Sequence, residues 1–297
     1  MRAVVFDRFG PPDVLRLADL PDPEPGPGEV RVRVRAAGVQ PFDVGLRRGA
    51  MTWAKVQFPQ QIGQEYAGVV DRLGAGTEGI EIGDAVLGST MLNGYAELLC
   101  VSVPTVVRKP DRLAFPDAAA LVAASQTATG ALAALAVTGG DVLLVHAAAG
   151  SVGTIAVQLA RAKGATVIGT ASPANHDYLR QLGAIPVAYG DGLLDEIRAT
   201  GETPTVALDA AGGIAIGQSV ALGIAPVRVG TIVDDKAAAE HGTKVVRAGR
   251  DPKRLAEVVA ARVVMPVRAF PLSDVVAAHR VVESRHGRGK VVLTVES

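Results

Sequence analysis

Between residues 115 and 233, strand-type and helix-type stretches alternate without a break, and nothing else in the chain constrains its fold as tightly. Short apolar runs at 142–146, 165–170, 185–188, 206–209 and 227–233 are separated by helical periods at 151–163, 175–182, 193–199 and 214–222. A helix-length crossover returns the next strand parallel to the last, whereas an antiparallel return needs only a tight turn. The expected product is an α/β fold, a doubly wound parallel sheet of Rossmann type.

The first strand–helix junction of this series carries chemistry. Ala147, Gly150 and Gly153 recur every third position, an A-x-x-G-x-x-G variant of the dinucleotide fingerprint. Small residues let backbone approach a pyrophosphate, and the helix start offers free N–H groups and the positive end of its dipole. Ala149, Gly150, Ser151, Val152 and Gly153 are therefore candidate cofactor contacts. Close helix–strand packing also selects glycine, but a strand before and a helix after are the context a nucleotide site requires. The second strand ends Thr170-Ala171-Ser172 and meets no acid until Asp177. A carboxylate there would bond the ribose 2′-hydroxyl of NAD and repel a 2′-phosphate. Its absence favours NADPH, with Thr170, Ser172 and Asn175 as candidate contacts and His176 or Arg180 as a source of charge. Ser172 and Asn175 also suit the N-cap of the next helix, and the two roles are compatible.

The flanks read differently. A proline-rich stretch at 21–29 excludes helix and central strand. Alternating Val and Arg at 30–34 predict a half-buried strand with its charged face in water. Further strand signals at 67–71, 85–87 and 97–101, punctuated by glycines, give residues 1–112 the character of an irregular all-β domain. The tail mixes a helix at 252–262, a strand near 267–270, a helix at 273–284 and a last strand at 290–295.

Composition closes off several function classes. Thirty basic and thirty acidic residues balance, with no Lys/Arg block, so neither nucleic acid nor an anionic membrane surface is an expected partner. Residues 118–140 are uncharged and long enough to span a bilayer. They are built on Ala and broken by Ser125, Gln126, Thr127 and Thr129, which suits buried helices better than lipid. The N-terminus lacks the apolar core of a signal peptide. The single cysteine, Cys100, excludes an intrachain disulfide and a Cys-rich zinc lobe, so a reducing, cytoplasmic setting is expected. His146, His176, His241, His279 and His286 form no ligand-spaced pair, and no metal is expected. His279 reads as a packed or surface helix residue and Cys100 as inert core. No Ser/His/Asp triad can be assigned from spacing.

Ordered motifs run along nearly the whole chain: Gly28-Glu29-Val30-Arg31-Val32, Ala37-Gly38-Val39 with Asp43 and Arg47, Gly63-Gln64-Glu65-Tyr66-Ala67-Gly68, Gly83-Asp84-Ala85-Val86 and Gly94-Tyr95-Ala96-Glu97. After the 147–153 turn come Asp209 with Gly212-Gly213, Ala278-His279, and Gly289-Lys290-Val291-Val292-Leu293. In this order they resemble the medium-chain dehydrogenase/reductase superfamily, in its zinc-independent, quinone-oxidoreductase-like branch. The resemblance implies a GroES-like catalytic domain over 1–122 and a Rossmann NADP-binding domain over 123–250. A C-terminal segment, 251–297, would complete the first domain, with the active-site cleft where the two domains meet and a homodimer joined through the Rossmann sheet. It further implies NADPH-dependent hydride transfer to a small-molecule quinone or α,β-unsaturated carbonyl.

By the same resemblance Thr127, Ile232 and Val233 neighbour the nicotinamide, Tyr189 lies near the 2′-phosphate, and Gln40, Asp43, Gln64 and the 51–56 loop with Trp53 line the substrate side. Zinc-dependent relatives carry Cys and His where Gln40 and Gln64 stand, so both zinc sites of the family are absent. Quinone reductases often carry Asn and Tyr where Gln40 and Gly45 stand, which implies a roomier pocket here. The region around 234–268 is shortened relative to the family. No residue is assigned as an obligatory proton donor, since water can protonate the product. Two other expectations stand beside this one: a non-catalytic NADPH-binding sensor or binding module on the same fold, and an alcohol dehydrogenase.

Overall fold

The computed structural model describes residues 1–284 and 287–296; His286 lies outside the described residues. The chain divides into two compact units, one comprising Met1–Ala123, Asp251–Ala260 and Met265–Ser297, the other Ala124–Arg250 and Ala261–Val264.

The first unit opens with β1 (Arg2–Phe6), β2 (Leu15–Asp19), β3 (Glu29–Val39), α1 (Pro41–Arg47), β4 (Gln60–Gln61), β5 (Glu65–Leu73), β6 (Ala85–Ser89), β7 (Leu98–Ser102) and β8 (Val106–Arg108). β1, β2 and β4 make a three-stranded antiparallel sheet, and β3 pairs with both β5 and β7 in a larger one. Val30, Val32 and Val34 of β3 are buried as their alternation predicts. The charged face is not wholly in water, however. Arg31 is 7% exposed, and its Nε donates to Asp71 Oδ1 at 2.8 Å. Strands on both sides of β3 cover the arginine stem, and the carboxylate on β5 compensates its charge.

The helix α2 (Phe115–Ala134) follows, and the absence of charge after residue 118 now has a cause: every residue from Ala118 to Gln126 is buried. The second unit then alternates as its sequence requires: β9 (Val142–His146), α3 (Ser151–Ala162), β10 (Thr166–Ala171), α4 (His176–Gln181), β11 (Ile185–Ala188), α5 (Leu193–Ala199), β12 (Val206–Asp209), α6 (Ala215–Ala221), β13 (Val229–Thr231), α7 (Asp235–His241) and β14 (Lys244–Val245). The strands are all parallel, in the order β11-β10-β9-β12-β13-β14. Strand order reverses between β9 and β12, where doubly wound sheets bind their ligands. Leu144, Ile168, Ala207 and Val229, one from each of four adjacent strands, share a core with Ile216 and Ile224. Helix α7 carries too weak an apolar signal to be read from sequence, since only Ala238 is buried. Its ends define it instead. Asp234 Oδ1 accepts the Ala237 N–H at 2.9 Å, and Gly242 turns left-handed at φ 63°.

The tail returns to the first unit as α8 (Pro252–Ala260), β15 (Val267–Pro271), α9 (Val275–Glu283) and β16 (Lys290–Thr294). β16 lies antiparallel to β3, with Val291 opposite Val39 and Leu293 opposite Ala37. Helix α8 stops at Ala260, two residues short of the expected end, and Arg262 takes a left-handed φ of 57°. Among the described residues, no helix is long and apolar enough to cross a membrane.

Candidate functional site

In the second unit, the candidate cofactor contacts gather at the C-terminal edge of the parallel sheet. The chain leaves β9 through Ala147, whose left-handed φ of 57° makes the sharp turn, and enters α3 at Gly150. β10 holds the turn in shape, because Thr170 Oγ1 accepts the Ala147 N–H at 3.1 Å and the Thr170 carbonyl accepts the Ala148 N–H at 3.0 Å. The two fingerprint glycines then separate by cause. A Cβ on Gly153 would stand 2.6 Å from Ala148 Cα, so packing alone forbids a side chain there. A Cβ on Gly150 would meet only the Ala147 carbonyl oxygen, at 3.3 Å, on a backbone any residue can adopt. Among the described residues no side chain caps α3, so the first N–H groups, those of Ser151, Val152 and Gly153, have no side-chain acceptor there. Ala149 is buried, and Ser151 and Val152 are half-buried beside it.

The neighbouring strand ends bring the next group together. Ala171 of β10 and Ala188 of β11 are in register, so Ser172 and Tyr189 leave the sheet side by side. Ser172 and Asn175 occupy N-cap positions, yet neither side chain makes a capping bond. Asn175 Nδ2 instead donates to Ser172 Oγ at 3.2 Å, and Tyr189 is exposed. Of the two groups considered as a source of charge, His176 lies against the Ala171 carbonyl and Arg180 pairs with Asp177. On the other side of the strand reversal, Ile232 is half-buried and Val233 exposed just beyond β13. Thr127 is half-buried on α2.

Two buried groups beneath this edge were not singled out as site residues from sequence. Asp209 ends β12 and bonds Thr231, the last residue of β13. An acid closing a parallel strand ahead of Gly212-Gly213 was the available signal. His146 ends β9 opposite Asp209, and Ser219 Oγ lies 2.9 Å from its Nε2. The Ser219 hydroxyl also lies 2.9 Å from the Ala215 carbonyl, which can only accept. Burial pushes the imidazole down to about 4, which keeps it neutral.

In the first unit, Gln40, Asp43 and Gln64 converge. Gln40 opens α1, and Asp43 Oδ2 accepts its N–H at 3.0 Å. Gln40 Nε2 donates to Gln64 Oε1 at 3.2 Å. Asp43 is fully buried and also takes the Tyr95 hydroxyl at 2.7 Å, a partner not predicted because it lies 52 residues away. Burial pushes the Asp43 carboxyl up to about 7. Trp53 is 72% exposed, its ring 5.9 Å from Phe42. The roomier pocket expected at Gly45 is corrected by the structure: a Cβ there would stand 2.5 Å from Met51 Cε, so the methionine fills the space. Of the two places expected for His279, packed or surface, the structure gives the first: it is fully buried. Cys100 is half-buried on β7, its thiol pushed up to about 11 by burial.

Comparison with known proteins fits both units. The family model described as alcohol dehydrogenase GroES-like domain matches residues 26–135, and that described as zinc-binding dehydrogenase matches 195–293. The structure of the quinone oxidoreductase from Coxiella burnetii is 33% identical and superposes with a TM-score of 0.89, covering 100% of this chain and 99% of that one. The chain belongs to the medium-chain dehydrogenase/reductase superfamily. Another structure in this superfamily's fold, an NAD-dependent alcohol dehydrogenase, is 29% identical with a TM-score of 0.88, covering 100% of both chains. The quinone oxidoreductase of Pongo abelii is 37% identical over 174 residues, 58% of this chain and 53% of that protein. The chain thus spans about half the length of the curated relatives it matches. One superfamily model carries zinc in its description, but the donor set here does not fit that metal. The amides of Gln40 and Gln64 bond each other, and among the described residues no three His, Cys, Asp or Glu side chains group where they could hold an ion.

Proposed function

We propose that this chain is a zinc-independent, NADPH-dependent oxidoreductase that reduces a quinone or an α,β-unsaturated carbonyl. The observation that carries the cofactor half is the turn at Gly150. It sits at the strand-order reversal, where a Cβ would meet only the Ala147 carbonyl oxygen at 3.3 Å and, among the described residues, no side chain caps the helix-start amides. Ala149, Gly150, Ser151, Val152 and Gly153 would hold the pyrophosphate. Thr170, Ser172, Asn175 and Tyr189 would hold the 2′-phosphate side, and Thr127, Ile232 and Val233 the nicotinamide side. When bound, NADPH supplies a hydride. The protein's own part is to orient the cofactor and to present an acceptor that needs little activation. Gln40 and Gln64 offer amide hydrogen bonds to a substrate oxygen, and without a Lewis acid an already electrophilic acceptor is the fitting substrate. Asp43 lies fully buried beneath Gln40, so we assign it no proton donation, and water protonates the product.

The test is a binding and turnover series on purified protein. NADPH should bind at least tenfold more tightly than NADH, about 1.4 kcal/mol, and quinones or enones should be reduced. Equal affinities would remove the 2′-phosphate argument, and bound cofactor with silence across the acceptor panel would remove the reductase. Gly150→Ala should leave the fold intact and weaken NADPH, because its methyl points where the ligand must come. Gly153→Ala should cost about 1–3 kcal/mol of stability through overpacking. A second proposal, an NADPH-binding sensor without turnover, draws support from Met51, which narrows the space beside Gly45. An alcohol dehydrogenase predicts stoichiometric zinc, which elemental analysis would detect. By the family resemblance, we place the protein in the cytoplasm as a homodimer. The edge strand β14, paired in the sheet only with β13 among the described residues, is compatible with that assembly.

A further inference from the structure

We infer that Asp209 and Thr231 are positioning residues that fix the nicotinamide-side wall of the cofactor site, an inference that rests on the NADPH proposal above. Both are fully buried and stand opposite each other at the ends of β12 and β13. Their hydrogen bonds leave little freedom in the loops that follow. Asp209 Oδ1 accepts the N–H groups of Ala211 and Gly212, each at 2.8 Å. Asp209 Oδ2 accepts the Thr231 hydroxyl at 2.7 Å. The same threonine oxygen accepts the N–H groups of Val233 at 3.0 Å and Asp234 at 3.1 Å. The Ile232 peptide is held from both sides, its N–H on the Asp209 carbonyl at 3.0 Å and its carbonyl on Arg247 Nε at 2.9 Å. The two loops also approach each other closely: a Cβ on Gly212 would lie 3.5 Å from Val233 Cγ2.

The chemistry of the pair is specific. Every group that meets the Asp209 carboxylate is a donor, so an acceptor-only side chain is required. An asparagine could keep the two backbone N–H bonds on its oxygen, but its NH₂ would then face a threonine oxygen that already accepts two N–H groups. One donor of the 231–234 loop would lose its partner. Place in the sheet decides which part of the ligand this loop serves. A dinucleotide spans the strand reversal, one half over β9, β10 and β11 and the other over β12 and β13. Ser172 and Tyr189 stand on the first side, so Ile232 and Val233 face the nicotinamide half, and Asp209 with Thr231 sets where they stand.

Two probes separate this role from a general contribution to folding. NADPH engages both halves of the site, whereas adenosine 2′,5′-bisphosphate engages only the first. Asp209→Asn and Thr231→Val should each weaken NADPH at least tenfold and abolish the change in nicotinamide fluorescence on binding. Adenosine 2′,5′-bisphosphate should still bind within twofold of its original affinity. Thr231→Ser, which keeps the hydroxyl, should behave as the unaltered protein. If Asp209→Asn does not fold, the two threonine variants carry the comparison. An equal loss for both probes, or unchanged NADPH binding, would overturn the inference while leaving the cofactor proposal standing. Failure of the unaltered protein to bind either probe would overturn both.

Discussion

Replacing Asp43 with asparagine isolates what one buried carboxyl does to the stability of the first unit. Asp43 is fully buried; Oδ2 takes the bonds from Tyr95 and Gln40, and Oδ1 takes none among the described residues. Burial, aided by the charge of Glu65 and opposed by Tyr95, the Gln40 N–H and Lys290, raises the carboxyl from 3.8 to about 7. The folded protein therefore holds this proton more tightly than the unfolded chain. Its contribution to stability is greatest below the unfolded value and falls as pH rises toward 7. Roughly three pH units at about 1.4 kcal/mol each amount to about 4 kcal/mol. The asparagine side chain does not titrate. Whatever fixed cost its NH₂ incurs at the unpartnered position, the difference in stability between variant and parent should shift in favour of the variant by about that amount between roughly pH 3 and pH 8. Trp53 is the only tryptophan and lies in the same unit, so urea denaturation followed by its fluorescence reads this unit. Other titrating groups are common to both proteins and cancel in the difference. A difference that stays level across the window would refute the account of Asp43 as a carboxyl held near neutrality by burial.

Two further outcomes follow from the same unit. His279 is buried with neither ring nitrogen partnered among the described residues, and burial together with the Arg47 charge pushes it down to about 3. The folded state therefore excludes a proton that the unfolded chain accepts, and stability is lost as pH falls from about 6.5 toward 3. His279→Leu should raise stability by about 1–3 kcal/mol at neutral pH, with a margin that widens on acidification; calorimetry at several pH values checks both parts. Lys290→Met would leave the fully buried Glu65 carboxylate without its counter-ion, now 2.5 Å away. It should cost about 3–5 kcal/mol, most of it recovered when Glu65→Gln is added, as a double-mutant cycle of melting temperatures would show.

The parts of this protein that could be read from sequence are those whose causes lie close together along the chain. The parallel sheet is one, because each strand from β9 to β12 and the helix that follows it carry their own periodicity. The grouping of Ser172 with Tyr189 and of Ile232 with Val233 beside parallel strand ends is another, since these residues lie just past strands. The first unit's cluster is different. Gln40 meets Gln64 across 24 residues and Asp43 meets Tyr95 across 52, and no local pattern announces either pairing. Met51 beside Gly45 shows the same limit at shorter range: a glycine reads as vacancy, and only packing shows that a neighbour has taken the space.

The same distinction sharpens the fingerprint itself. In the sequence Gly150 and Gly153 are equivalent members of one motif. In the structure the second is dictated by the contact of α3 with the β9 turn, and would be glycine whether or not a nucleotide ever bound. At the first, a Cβ would meet only the Ala147 carbonyl oxygen, at 3.3 Å. Glycine is favoured over alanine at an N-cap, so the position admits a reason within the chain as well as one outside it. A phosphate drawn to uncapped N–H groups is the outside one. Asp209 extends the logic across the strand reversal: its carboxylate and Thr231 fix the backbone of two half-buried or exposed loops, the arrangement that the proposed placing of a cofactor against Ile232 and Val233 calls for.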